Sequence, residues 1–317
     1  MDRNRRLLIS ILAVLVLSAI IAIVDISISM KPGDKKLIQV KKPEMGPGVG
    51  IVRIEGPISL SSNTGYLGVI TGAEAIVKRL DDLQKNRNIR AIVVRINSPG
   101  GTVGATQEIF QKIWKIRKKK NIPVVASMGE IAASGGYYTA AACSRIMANH
   151  GTITGSIGVI AMSPNMKRLF DKLGIRMNVI KSGRYKDILA SYRDLSTEER
   201  RILQEMIDSS YKKFLKDVAL GRNMNQSDIA KYADGRVMNG ITALDYKLID
   251  GIGTFEDAID SARELADLSE DSPVYDDVRT PFQQVLMSMQ GFFRGRSVLE
   301  KNINYGESQI LEYRYIP

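Results

Sequence analysis

The chain has 317 residues, room for one large α/β domain with additions or for two small domains. Hydrophobic residues make up 44% and charged residues 25%, a balance that buries a core and excludes a disordered chain. The formal charge is +11, but the basic residues cluster only at Arg3–Arg6, Lys31–Lys42 and Arg117–Lys120, without zinc-finger spacing, an RNA-binding signature or an aromatic-interleaved basic stripe, which excludes nucleic acid as the partner.

In chain order, Leu7–Val24 is apolar apart from Ser10 and Ser18, long enough to span a bilayer core with help from Ile26 and Ile28. Arg3, Arg5 and Arg6 precede it. No small-x-small cleavage site or lipobox cysteine follows, so residues 1–30 read as a retained membrane anchor rather than a cleaved leader. Five lysines (31, 35, 36, 41 and 42) follow closely and suit lipid headgroups, and charge alone leaves the orientation open. Residues 31–50, rich in proline, glycine and lysine, form a tether.

The main domain is expected over 51–268, beginning with a strand from Ile51 that ends in the Gly56-Pro57 turn. Ile76, Leu80 and Leu83 place a helix over Gly72–Lys85. Ile89–Ile96 reads as a buried strand, and Ala105, Ile109, Ile113 and Ile116 mark the next helix. Then come a strand at Pro123–Met128, a small-residue helix at Ser134–Ala142 and short strands at Arg145–Ala148 and Gly158–Ala161. A helix at Lys167–Leu173 and a strand at Arg176–Ile180 follow. Ser196 with Glu199 forms a capping box for a long helix carrying Leu203, Ile207, Phe214 and Val218. Thr254–Ala266 is the last firm element, and Gln283–Phe293 is a weak apolar helix or docking tail within the extension 269–317. Strands alternating with helices predict an α/β fold with parallel strands and right-handed crossovers.

Cys143 stands alone, which excludes an intrachain disulfide, and with His150 the only histidine a structural zinc site is excluded too. Two glycine-rich turns follow predicted strands: Asn97-Ser-Pro-Gly-Gly101, and Gly135-Gly136 after Ser134. Such turns aim backbone N–H groups into open space and can hold an oxyanion or a phosphate. No GxGxxG or Walker sequence is present, so nucleotide binding gains nothing from them. Ser134, in Ala132-Ala-Ser-Gly-Gly-Tyr-Tyr138, is either a nucleophile or simply the cap of the helix that follows. A histidine base would have to be His150, and a thiol nucleophile would have to be Cys143 within an apolar helix. A lysine serves as base only when neutral, which burial favours. Lys186 in Lys181-Ser-Gly-Arg-Tyr-Lys-Asp187 is one candidate among many, and the residues alone do not separate it from a surface lysine.

Arg95-Ile-Asn-Ser-Pro-Gly-Gly101, Ala133-Ser-Gly-Gly-Tyr-Tyr138, Gly151-Thr-Ile-Thr-Gly-Ser-Ile-Gly-Val159 and Lys181–Asp187 together resemble the signal peptide peptidase A family of bacterial serine peptidases, in order and spacing. The similarity runs from about Ile51 to Ala266. It implies a Clp protease/crotonase-like fold of repeated ββα units, here preceded by one N-terminal transmembrane helix. It implies a Ser–Lys dyad of Ser134 as nucleophile and Lys186 as base, an oxyanion hole using the Gly101 N–H, and Ser156 orienting the lysine amine. No cofactor or metal is implied. His150 stands where the family often has proline, and Asp234–Gly240 with Leu248–Asp250 resembles a structural helix and turn of crotonase-like proteins.

By the same resemblance, the chain would be a short-form member that assembles into a ring-like homo-oligomer. It would sit as a single-pass protein in the bacterial cytoplasmic membrane with its catalytic domain on the extracytoplasmic side. Its substrates would be signal peptides and other hydrophobic peptides, cut in their apolar stretches. The alternatives are a membrane quality-control peptidase acting on a partner protein, a crotonase-like acyl-CoA enzyme and a non-catalytic membrane scaffold. The tail from Ser269 would either dock on a neighbour or enter an active site as a pseudo-substrate.

Overall fold

The computed structural model describes residues 46–60, 72–276 and 312–314. The expected anchor at 1–30, most of the tether and the weak helix at Gln283–Phe293 lie outside them. Among the described residues, no helix is long and apolar enough to cross a membrane.

The chain order is β1 (Gly48–Glu55), α1 (Ala73–Lys85), β2 (Ile89–Ser98), β3 (Gly100–Thr102), α2 (Val103–Lys119), β4 (Val124–Ala133), α3 (Gly135–Ala141), β5 (Arg145–Ala148) and β6 (Ile153–Gly155). Then follow α4 (Lys167–Leu173), α5 (Thr197–Arg222), α6 (Gln226–Ala230), β7 (Val237–Met238), α7 (Gly240–Asp245), β8 (Gly251–Ile252), α8 (Phe255–Leu265), β9 (Val274–Tyr275) and β10 (Glu312–Arg314). The central sheet runs β7-β6-β4-β2-β1-β9, with β5 on β4 and β8 on β5. Its β1–β2, β2–β4, β4–β5 and β4–β6 pairs are parallel.

Period-two alternation sorts the sheet's side chains into two layers. On β2, Ile92, Val94 and Ile96 join the main core with Leu80, Ile109 and Phe110 of α1 and α2. Ala91 and Val93 point the other way, with Val49, Ile51 and Val125, toward Ala258 and Ala262 of α8. Burial on both faces explains why these strands read as continuous apolar runs. The capping box of α5 is present, with Ser196 Oγ accepting from Glu199 N–H and the Glu199 carboxylate accepting from Ser196 N–H.

Three expectations shift. The sheet begins at Gly48, ahead of Ile51, and β9 adds to the edge of β1, so the sheet continues past Leu268. The strand expected at Gly158–Ala161 is β6 at Ile153–Gly155, whose register on β4 is set by Ile131–Ala133. Arg176–Ile180 is not a strand: each of its residues is exposed, and among the described residues no strand pairs with it.

Candidate active site

β4 is long enough to take two successive partners on one edge, β5 along Val125–Met128 and β6 along Ile131–Ala133. The last β4–β6 pair is Ala133 with Gly155, so Ser134 and Ser156 leave the sheet as neighbours. Ser134 N–H donates to Gly155 O at 2.8 Å, and Ser156 N–H donates to Arg236 O at 2.7 Å. Both serines have positive φ, 52° and 49°. A residue with a side chain holds that conformation at a cost of about 1–3 kcal/mol, and such strain gathers at functional sites.

Ser134 occupies the cap position of α3, but its side chain makes no cap hydrogen bond. The capping role that competed with the nucleophile role is therefore absent. Its carbonyl accepts from Tyr138 N–H at 2.8 Å, so backbone bonds fix it on both sides. The residue is 1% exposed. Behind it, Tyr138 lies between Phe110 and Phe214, with centroids 4.9 and 4.8 Å away, and its hydroxyl donates to Asp217. Tyr137 OH donates to Leu248 O at 2.9 Å. These contacts seat α3 in the core, so the turn that carries Ser134 starts from a rigid base.

Gly101 lies on β3, next to the end of β2. A Cβ there would come within 1.9 Å of Ile58 O, and one at Gly136 would meet Ser98 O at 2.7 Å. Both positions exclude a side chain by close backbone approach. Ile58 N–H bonds to Gly100 O and Thr102 N–H to Ile58 O, so strand alternation turns the Gly101 N–H to the opposite edge. On that edge lies β10, antiparallel to β3 with Tyr313 opposite Gly101, and α3 touches both strands.

The structure thus brings Ser134, Ser156 and the Gly101 turn to one end of the parallel strands. Lys186 lies elsewhere in the chain's organisation, on the exposed segment between β6 and α5. Its N–H closes a turn on Gly183 O at 3.3 Å, and its amine makes no hydrogen bond to Ser134 or Ser156. The neighbouring Asp187 is held well below the usual carboxylate range by hydrogen bonds from Arg193 first, then Lys181 and Tyr192. Arg193 is correspondingly raised by Glu199 and Asp187. The sequence reading saw Glu199 only as a capping residue. Its pairing with Arg193, like that of Asp187, follows from the fold of the loop, since a spacing of six residues falls on no single helix face.

The rival nucleophile and base fare less well. Cys143 is fully buried, and burial pushes its thiol up to about 12. His150 is exposed, with its carbonyl accepting from Gly240 N–H at 3.1 Å. A crevice of about 380 Å³ opens between Ala161–Asn165, Leu189–Leu195 and α5, and Ser134 does not line it.

An α/β sheet that delivers a strained, uncapped serine beside a glycine turn fits a hydrolase with a serine nucleophile, and comparison with known proteins makes the chain a serine peptidase. Residues 116–269 match the model of peptidase family S49. The chain is 46% identical over 231 residues to "Putative protease slr0021" of Synechocystis sp., a match covering 73% of this chain and 79% of that protein. It is 35% identical to "Putative signal peptide peptidase SppA" of Enterococcus faecium, over 70% of this chain and 62% of that one. It is 33% identical to the chloroplastic serine protease SPPA of Arabidopsis thaliana, over 70% of this chain but only 32% of that longer protein. The chain belongs to peptidase family S49, the signal peptide peptidase A family. The matched region contains Ser134, Ser156 and Lys186, whereas Gly101 precedes it.

Proposed function

We propose that this peptidase is a membrane-anchored endopeptidase that cuts the apolar segments of signal peptides and similar hydrophobic peptides, with Ser134 as nucleophile and Lys186 as base. The observation that carries the reading is the Ser134 turn: backbone fixed on both sides, φ of 52°, and a hydroxyl not used as a cap. In the forward step the Ser134 hydroxyl attacks the scissile carbonyl and its proton passes to a neutral Lys186 amine. The oxyanion accepts from the Gly101 N–H, with the Gly135 N–H as a second donor. Collapse releases the amine product, which takes the proton from Lys186, and water then repeats the sequence on the acyl-enzyme. Ser156, beside Ser134, orients the lysine amine.

Several features support the finer parts of this reading. The lie of β10 along β3 supports a substrate bound as an extended added strand. The repeated strand–helix progression from β1 through α3 supports a Clp protease/crotonase-like fold. The apolar stretch Leu7–Val24 supports a single-pass anchor, and the family resemblance supports a bacterial cytoplasmic membrane with the domain on the extracytoplasmic side. A base works only when neutral, a form that removal of water favours for any lysine. The same segment exposes Met162, Leu169, Leu173, Ile175, Met177, Val179 and Ile180. A surface of that kind supports self-association in a ring-like homo-oligomer, which would also take water from Lys186.

A fluorophosphonate probe tests the nucleophile directly. Peptide mapping of the labelled full chain is expected to place the adduct on Ser134, and to find none in Ser134→Ala. An adduct on any other serine would contradict the assignment.

A further inference from the structure

We propose that Arg193 is a positioning residue for catalysis, clamping the loop that carries Lys186 onto the first turn of α5. This inference rests on Lys186 being the base. Arg193 faces two carboxylates at once. Toward Asp187, its Nε is 3.0 Å from Oδ2 and its Nη2 is 2.8 Å from Oδ1, with a further bond of 3.0 Å from Nη2 to the Asp187 carbonyl. Toward Glu199, Nη1 reaches Oε2 at 2.8 Å and Nη2 reaches Oε1 at 2.6 Å. A planar guanidinium with five donors can make such a double fork, and a lysine cannot.

The clamp is enclosed at its far end. Glu199 is only 3% exposed and doubles as the capping carboxylate of α5, accepting from Ser196 N–H at 2.9 Å. Asp187 also receives Tyr192 OH at 2.7 Å and an ion pair from Lys181. From Glu199 the connection is continuous: α5 carries Phe214, Phe214 packs edge-on against Tyr138, and Tyr138 N–H bonds the carbonyl of Ser134. The backbone beside Lys186 is therefore tied, through Arg193, to the first turn of α5. The other described polar ties from this loop to α5 all end on one residue, Glu198, which pairs with the exposed Arg184 and hydrogen-bonds Tyr185, and surface contacts of that kind hold little.

A base must sit within a few tenths of an ångström of the proton that it takes, and a misplacement of about 1 Å can cost roughly 100-fold in rate. Arg193 touches neither substrate nor reacting atoms in this scheme, so its loss falls on turnover and not on binding.

The test uses the full chain in detergent or vesicles, with a hydrophobic fluorogenic peptide, and compares the parent with Arg193→Gln, Arg193→Lys and Lys186→Ala. Arg193→Gln is expected to lower kcat by about 10- to 100-fold with KM changed less than about twofold. Arg193→Lys keeps the charge and one carboxylate contact, and is expected to recover part of that loss. It also keeps the test decisive if Arg193→Gln does not fold. Lys186→Ala is expected to be inactive. Parental kcat in Arg193→Gln beside an inactive Lys186→Ala would overturn this inference alone, as would a loss in KM only. Parental activity in Lys186→Ala would overturn the dyad, and this inference with it.

Discussion

A serine hydroxyl competes for hydrogen bonds with every backbone group near it, and at the start of a helix it usually ends as a cap. Ser134 escapes that role because its φ of 52° swings the side chain away from the first turn of α3, while Gly155 O and Tyr138 N–H hold its backbone. Gly101 makes room for the arrangement by close backbone approach, and a nearby glycine in open space serves as its control. Gly101→Ala would force a Cβ to within 1.9 Å of Ile58 O, so the strand must shift and carry its N–H out of place. The expected result is a fall in kcat of about 100-fold or more, comparable to loss of an oxyanion donor. Gly104→Ala, nearby in α2, meets nothing within 4 Å. It is expected to leave kcat unchanged and to stabilise the fold by about 0.4–1 kcal/mol, read from the denaturation midpoint.

Between elements, the segment from β6 to α5 differs from the sheet in what holds it. The sheet is secured by burial on two faces, whereas this segment depends on charge-assisted bonds around Asp187, Arg193 and Glu199. That difference predicts a pH response. Arg193, followed by Ser196, lowers the Glu199 carboxyl to about 2, and Asp187 shifts in the same direction. A carboxyl lowered in the folded state stabilises fully above its unfolded value of about 4.3, and that contribution is lost as pH falls through the folded value. Hydrogen-exchange protection over 187–199 should therefore hold down to about pH 4 and drop between about 4 and 2, before protection of β2 and β4 is lost. Simultaneous loss in both regions would contradict this separation.

The same contrast explains what the sequence could reveal. Runs such as Ile89–Ile96 and the stripe through Ile109, Ile113 and Ile116 declare themselves, because burial imposes a period. The capping box at Ser196 is legible for a similar reason, since its bonds are local. The Arg176–Ile180 segment misled because its apolar residues read as a strand, yet it has no partner strand among the described residues. Nor could spacing show that β4 takes two partners on one edge, or that this pairing sets Ser134 beside Ser156. Those facts belong to register. For Lys186 the residues alone offered no distinction from a surface lysine, and only the family motifs singled it out.

On the scale of the whole molecule, the exposed apolar segment between β6 and α5 is a surface suited to a partner. Ile180 is fully exposed and Leu173 is 63% exposed. If a second copy covers them, Ile180→Asp with Leu173→Asp should shift the sedimentation velocity of the detergent-solubilised protein toward the monomer and lower activity together with assembly. An unchanged sedimentation profile would assign the surface to another purpose, such as contact with lipid.

The pairing of Ser134 with Lys186 stands or falls on cleavage of a hydrophobic fluorogenic peptide. The parent is compared with Ser134→Ala and Lys186→Ala in the assembled full chain. The parent is expected to cleave the peptide, and each substitution to abolish cleavage while the unfolding transition is retained. Cleavage at the parental rate by either variant would contradict the pairing.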